Sequence, residues 1–256
     1  MYKPYLLRTP PFDPTSGGIR VMWGLYGWLL AKGQLAYVNT KMDVPTIGIY
    51  PEIYTGNEMD SQKVVRYILQ TVGKMGTTDQ YGIFIKGPTE FDSTDEIIVF
   101  SKIYDTFGVD DDHLMFLPII NLHLFKDLHK KRTKTCYLVG KGENTNKHPK
   151  DSIKLTREFA TDQKALAELL NECQMLYGYD HMSAMYDIAR LCGTPVTYLG
   201  SATKEELKDY EPGLDGIDFG QGQKLDTPRF RYNYQELITL FSDKLELFIE
   251  RTQNEK

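Results

Sequence analysis

Short apolar runs alternate with polar stretches bounded by glycine or proline, and the hydrophobic period switches repeatedly between two and three to four. Pro4 to Thr9, within the apolar stretch Lys3 to Thr9, reads as a short strand. Three prolines make the stretch from Pro10 to Thr15 a loop. Ser16-Gly17-Gly18 then opens a helix, with Ser16 as N-cap and Ile19, Met22, Tyr26, Leu29 and Leu30 as its apolar stripe. Gly33 ends that helix, and Leu35 to Val38 reads as the next strand. Pro45 to Tyr50 is a further strand, followed by a polar loop from Pro51 to Asn57. Ser61 to Leu69 reads as a helix with Val64, Val65, Ile68 and Leu69 inward, and Tyr81 to Ile85 and Glu96 to Phe100 as strands.

The pattern resumes after Phe116 to Ile120, which carry the chain into a second domain. Strands are predicted over Thr135–Val139, Ile153–Thr156 and Gln174–Tyr177, with a helix over Asp162–Cys173. From Tyr179 to Val196 the chain reads as loop, helix, tight turn and strand. Met182, Met185, Ile188, Ala189 and Cys192 recur at spacings of three or four, Gly193 stops the helix, and Pro195 cannot continue it. Val196 to Leu199 is a short β-type run. Lys204 to Asp209 reads as a short helix, Gly213 to Gly222 as a glycine-rich loop, and Tyr234 to Arg251 as a last helix with Leu237, Leu240, Phe241, Leu245 and Phe248 on one stripe. Repeated strand–helix alternation predicts the α/β class. The expected domains are 1–115, 116–233 and a terminal helical segment, 234–256.

Composition narrows this little. The 256 residues allow one large domain or two small ones, and 41% hydrophobic with 25% charged residues is ordinary globular usage. The net charge of −5 argues against a broad nucleic-acid surface, without excluding nucleic acid as a partner. Cys136, Cys173 and Cys192 fall within predicted elements at no metal-type spacing, as buried thiols in a reducing compartment would. No signal peptide and no apolar run near 18 residues is present, so a cytoplasmic location is expected, with peripheral membrane association left open.

Several residues carry candidate chemistry. Gly17 and Gly18 follow the first strand and open a helix, where a ligand can approach the backbone closely. Asp180 and Ser183 stand at the start of another helix, whose N–H groups favour phosphate. Arg132 before a strand and Lys141 in the glycine turn after it also speak of phosphate. Glu52 and Asn57 lie in a loop at the C-terminal end of a strand, where α/β ligands gather. Asp110-Asp111-Asp112 has the form of a metal-binding Asp-x-Asp, but it precedes an apolar run instead of ending a strand and reads as a solvated acidic turn.

Three stretches resemble glycosyltransferases of the GT-B fold. The stretch from Asp180 to Val196 is similar to the donor-site helix of the retaining members, with Asp180, Ala189, Gly193, Pro195 and Val196 at matching positions. Ile188 stands where that family has the glutamate that holds the ribose. Pro11 to Val21 is similar to the Gly-Gly opening of many such enzymes. Pro51 to Asn57, continued by Val-Val-Arg-Tyr-Ile-Leu, resembles a segment of bacterial and viral polysaccharide glycosyltransferases.

The resemblance implies two Rossmann-like domains facing across a cleft, with the C-terminal helix packing back on the first. It implies a UDP- or GDP-type nucleotide-sugar donor, no other cofactor and no metal ion. Asp180 would hold the donor sugar, and Lys141 and Arg132 would clamp the diphosphate. Gly17, Gly18, Ser183, Ala184 and Asp187 would line the donor, and Glu52 and Asn57 the acceptor, a glycan, lipid-linked sugar or other hydroxyl compound. Two alternatives stay open: a non-catalytic nucleotide-sugar-binding relative, and a glycosyltransferase acting on DNA bases.

Overall fold

The computed structural model describes residues 2–79, 81–221 and 225–254. The chain divides into two compact units, one formed by Met1–Ile119 with Leu237–Lys256 and the other by Ile120–Glu236.

The first unit is built on β1 (Tyr5–Leu7), α1 (Gly17–Ala31), β2 (Ala36–Val38), β3 (Ile47–Pro51), β4 (Lys63–Ile68), a hairpin of β5 (Gly76–Thr78) and β6 (Phe84–Lys86), and β7 (Glu96–Val99). Its main sheet runs β2-β1-β3-β4-β7, every pair parallel. Counted in chain order, that is 2-1-3-4-5, a doubly wound α/β order. Helix α1 packs Val21, Met22, Leu25 and Leu29 into a core shared with Leu7, Ile49, Val65 and Tyr67. Phe241, Leu245 and Phe248 of the terminal helix complete the same core.

The second unit contains β8 (Lys134–Leu138), β9 (Ile153–Lys154), α2 (Gln163–Glu172), β10 (Cys173–Gly178), α3 (Ala184–Leu191), β11 (Val196–Tyr198) and β12 (Ile217–Asp218). Its sheet runs β12-β11-β10-β8-β9, again all parallel. Read from the β9 edge, this is the same 2-1-3-4-5 order. Asp162 caps α2 by accepting from the backbone N–H of Lys164 and Ala165. Helix α4 (Thr227–Asn254) closes the chain, its residues up to Glu236 belonging to this unit and those from Leu237 to the first.

Several elements differ from the sequence expectation. Within residues 61–69 the chain forms the strand β4 over Lys63–Ile68 and no helix. The inward spacing of Val64, Val65 and Ile68 also fits a strand buried on both faces of a parallel sheet, and the β-branched and aromatic content of Lys-Val-Val-Arg-Tyr-Ile favours that outcome. Residues 204–209 form successive turns and no helix. The last helix begins seven residues before Tyr234, and its Leu240 lies exposed. Leu30 of α1 is exposed too, because the buried stripe runs through Val21, Met22, Leu25 and Leu29. The unit boundary falls after Ile119 rather than after residue 115. The predicted glycine-rich loop over 213–222 lies partly outside the described residues. All three cysteines are buried free thiols.

Candidate functional site

In a 2-1-3-4-5 parallel sheet the chain leaves strands 1 and 3 in opposite directions, which opens a crevice beyond their C-terminal ends. In the second unit those neighbours are β8 and β10. Their register pairs Leu138 with Gly178, and Gly178 with Tyr198 of β11, so three strands end at one level. Lys141 follows β8 by three residues and Asp180 follows β10 by two.

The structure brings these two residues together. The backbone N–H groups of Lys141 and His181 both donate to the Asp180 carboxylate. Burial raises the Asp180 carboxyl above its ordinary value, and these two bonds and the charge of Lys141 oppose that rise. The close approach explains the glycines of the turn. Gly140 has a positive φ of 56°, and a Cβ there would lie 2.2 Å from Asp180 Oδ2. A Cβ on Gly142 would lie 1.8 Å from the carbonyl oxygen of Tyr179.

Tyrosines frame the same place, at positions that no sequence motif marks. The fully buried Tyr186 donates its hydroxyl to the Asp180 carbonyl at 2.8 Å, and its ring occupies the space that a Cβ on Gly178 would need. Tyr179 Oη accepts from the backbone N–H of Lys147 at 2.8 Å and lies 2.8 Å from Nδ1 of His148. His148 stacks on Tyr137 with ring centroids 3.8 Å apart, so the segment that follows the glycine turn is held against the sheet. The sequence holds 17 tyrosines, but a count does not say which rings lie at strand ends.

Ser183 caps α3, its hydroxyl accepting from the Met185 N–H at 3.3 Å, and Ala184 is the first helical residue. Both stand where the dipole of α3 is positive.

Two donor-side candidates have other work. Arg132 sits before β8, at the end of the sheet away from Asp180 and Lys141. Its Nη1 donates to the carbonyls of Leu170 and Cys173 and to Thr194 Oγ1, and its Nη2 to Asp127 Oδ1 and the Cys192 carbonyl. It ties the C-terminal ends of α2 and α3 together and is not placed to clamp a diphosphate. Asp187 is buried, with Oδ1 2.6 Å from Arg190 Nη2 and Tyr210 Oη at 3.2 Å. Arg190 in turn donates to the carbonyls of Gly213 and Asp215 and lies over the Phe230 ring. Asp187 therefore anchors the chain around Gly213 and lines no donor. Ile188 is 3% exposed and packs inward, so this helix face offers no ribose partner at that position.

The first unit repeats the arrangement at β1 and β3. Gly17 and Gly18 begin α1 after β1, and a Cβ on Gly18 would reach ordinary contact, 3.6 Å, with Leu69 Cδ1. Ser16 occupies the N-cap position without a side-chain capping bond. Glu52 follows β3 directly and is 4% exposed, its Oε2 accepting from the Leu69 N–H at 2.9 Å. Burial pushes its carboxyl up to about 7. Asn57 instead serves the local turn: its Oδ1 accepts from Tyr50 Oη and the Ser61 N–H, and its Nδ2 donates to the Ser61 carbonyl.

Asp110 caps a single turn of 3-10 helix over Asp111–His113, as a solvated acidic turn does. Among the described residues, no helix is long and apolar enough to cross a membrane. No protein-family model and no curated protein matches the chain. What the fold defines is an α/β protein with two parallel, Rossmann-like sheets of the same strand order.

Proposed function

We propose that this protein is a nucleotide-sugar-dependent glycosyltransferase of the GT-B type, with the second unit binding the donor and the first serving the acceptor. The observation that supports it most is the junction of Asp180 and Lys141 at the β8/β10 reversal, where doubly wound sheets bind nucleotides. The resemblance of the Asp180–Val196 segment to the donor-site helix of that family supports the role of Asp180.

In this reading the half-buried Asp180 carboxylate accepts hydrogen bonds from donor-sugar hydroxyls. Transfer breaks the bond from the anomeric carbon to the phosphate oxygen, and the nucleoside diphosphate leaves with the bonding pair. The acceptor hydroxyl oxygen forms the new glycosidic bond, and its proton passes to the departing diphosphate oxygen. Negative charge grows on the diphosphate as the bond breaks, and a preorganised cation and helix terminus stabilise it most in the transition state. Lys141 and the start of α3 at Ser183 and Ala184 supply those groups. Gly17, Gly18 and Glu52 mark the corresponding edge of the acceptor unit.

Incubation with a panel of radiolabelled UDP- and GDP-sugars, read as donor hydrolysis, tests the reading. Release of nucleoside diphosphate from one donor, lost in Asp180→Ala, is the expected result. The buried Ile188 favours a second reading, a nucleotide-sugar binder without turnover. Donor binding with no hydrolysis and no transfer supports that one instead.

A further inference from the structure

The hairpin β5–β6 stands apart from both sheets and carries a run of exposed apolar side chains. Tyr81 is 78% exposed, Ile83 61%, Phe84 60% and Ile85 52%. The ribbon pairs Gly76 with Lys86, Thr77 with Ile85 and Thr78 with Phe84. The described residues of its turn bond to one another. Asp79 N–H donates to the Ile83 carbonyl and Gly82 N–H to the Asp79 carbonyl, while Asp79 Oδ1 accepts from the N–H of Tyr81 and Ile83. Glycines mark its base: Gly73 has a φ of 71°, and the Gly87 N–H donates to the Met75 carbonyl at 2.8 Å.

Successive residues of a strand point to opposite faces. Ile83 and Ile85 therefore lie on one face of the ribbon and Phe84 on the other, and all three are exposed. A groove on a folded partner covers one face of a two-stranded ribbon. A fluid apolar medium covers both. Lys74 and Lys86, both exposed, flank the apolar tip at its base. Apolar side chains at the tip, backbone groups bonded inside the turn and lysines one step back are what the boundary between acyl chains and anionic headgroups accepts.

We propose that the β5–β6 hairpin docks this protein on an anionic lipid bilayer, with Tyr81, Ile83, Phe84 and Ile85 entering the interface and Lys74 and Lys86 at headgroup level. The base of the hairpin also lies against the acceptor-side edge. A Cβ on Gly87 would sit 3.2 Å from Ile53 Cα and 3.3 Å from the Glu52 carbonyl oxygen. Resting on the transferase reading, this makes the acceptor a lipid-linked hydroxyl compound presented at the bilayer.

The test is co-sedimentation of the full chain with vesicles of phosphatidylcholine containing about one-third phosphatidylglycerol. The wild type should pellet with these vesicles and far less with pure phosphatidylcholine. Ile83→Ser with Phe84→Ser, at exposed positions where circular dichroism should stay native, should lower partitioning by on the order of tenfold or more. Lys74→Glu with Lys86→Glu should remove the gain from phosphatidylglycerol. Failure of the wild type to pellet, or unchanged partitioning in either variant, overturns the proposal. So does a lipid-free dimer in sedimentation velocity that the serine variant lacks, because the tip is then a protein contact. Vesicle binding needs no sugar donor, so its failure leaves the transferase reading intact, and inactivity on every donor leaves the docking result intact.

Discussion

The backbone N–H of Lys141 donates to the carboxylate of Asp180, joining the loops that leave two adjacent parallel strands in opposite directions. That contact exists only because position 140 lacks a side chain, since a Cβ there would fall 2.2 Å from Asp180 Oδ2. A backbone bond to a half-buried carboxylate holds its position and favours its charged form. The glycine turn thus shapes the candidate donor site as directly as the carboxylate itself does.

Gly140→Ala should therefore disable the site without touching a reacting group. The left-handed backbone at position 140 costs an alanine about 1–2 kcal/mol, and the new methyl displaces Asp180. Donor turnover in Gly140→Ala should fall about as far as in Asp180→Ala, with circular dichroism unchanged. Wild-type turnover in either variant, measured by release of nucleoside diphosphate, removes Asp180 from the mechanism.

Lys141→Ala should lower turnover more than donor affinity, because its charge meets the leaving diphosphate most strongly in the transition state. A drop in kcat by roughly one to two orders of magnitude with a small change in donor Kd is expected. Added divalent metal should not restore it. Wild-type kinetics in this variant, or loss of wild-type activity to a chelator alone, would show that the charge is met in another way.

Glu52 should make stability fall as the pH rises. Its carboxyl is raised from 4.5 to about 7 by burial. Between those values the native protein retains a proton that the unfolded chain has released, so unfolding becomes easier through that window and the full penalty stands above it. The shift corresponds to a penalty of about 3 kcal/mol at pH 8. Denaturant midpoints measured from pH 4 to pH 8 should drop in the wild type and drop less in Glu52→Gln, where Asp187, raised to about 6 by burial, still titrates in the same window. Parallel curves for the two proteins exclude Glu52 as the titrating group.

Arg132→Ala should destabilise the second unit by about 2–4 kcal/mol, since it removes a donor from each of three backbone carbonyls and the guanidinium partner of Asp127. Below its lowered melting temperature the variant should bind donor as the wild type does. A selective rise in donor KM at unchanged melting temperature would restore Arg132 to the site.

Ile188→Glu should unfold the donor unit or weaken it severely, because it places a carboxylate in a core position without a partner. Thermal denaturation reads this directly. A folded variant with tighter nucleoside diphosphate binding would mean that this face of α3 meets the ligand after all.

Much of the architecture follows from local pattern. Glycine and proline punctuation with apolar spacing predicts α1, α2, α3 and most strands of both sheets, because caps and turns act over a few residues. The α/β class and the places of Asp180 and Lys141 at strand ends follow in the same way. The sequence alone could not decide β4, since Val64, Val65 and Ile68 are spaced for either a buried strand or a helix face, and only pairing with β3 and β7 selects the strand. The order along the chain already puts Arg132 before β8 and Lys141 after it; only the tertiary structure shows that one lies in a glycine turn against Asp180 and that the other holds helix-end carbonyls. Asp180 and Asp187 lie on one short segment, and packing leaves the first half-buried at the strand end and seals the second against Arg190. Local sequence sets which way the chain turns; burial and charge pairing depend on segments far apart in the chain, and they exist only once the sheets are assembled.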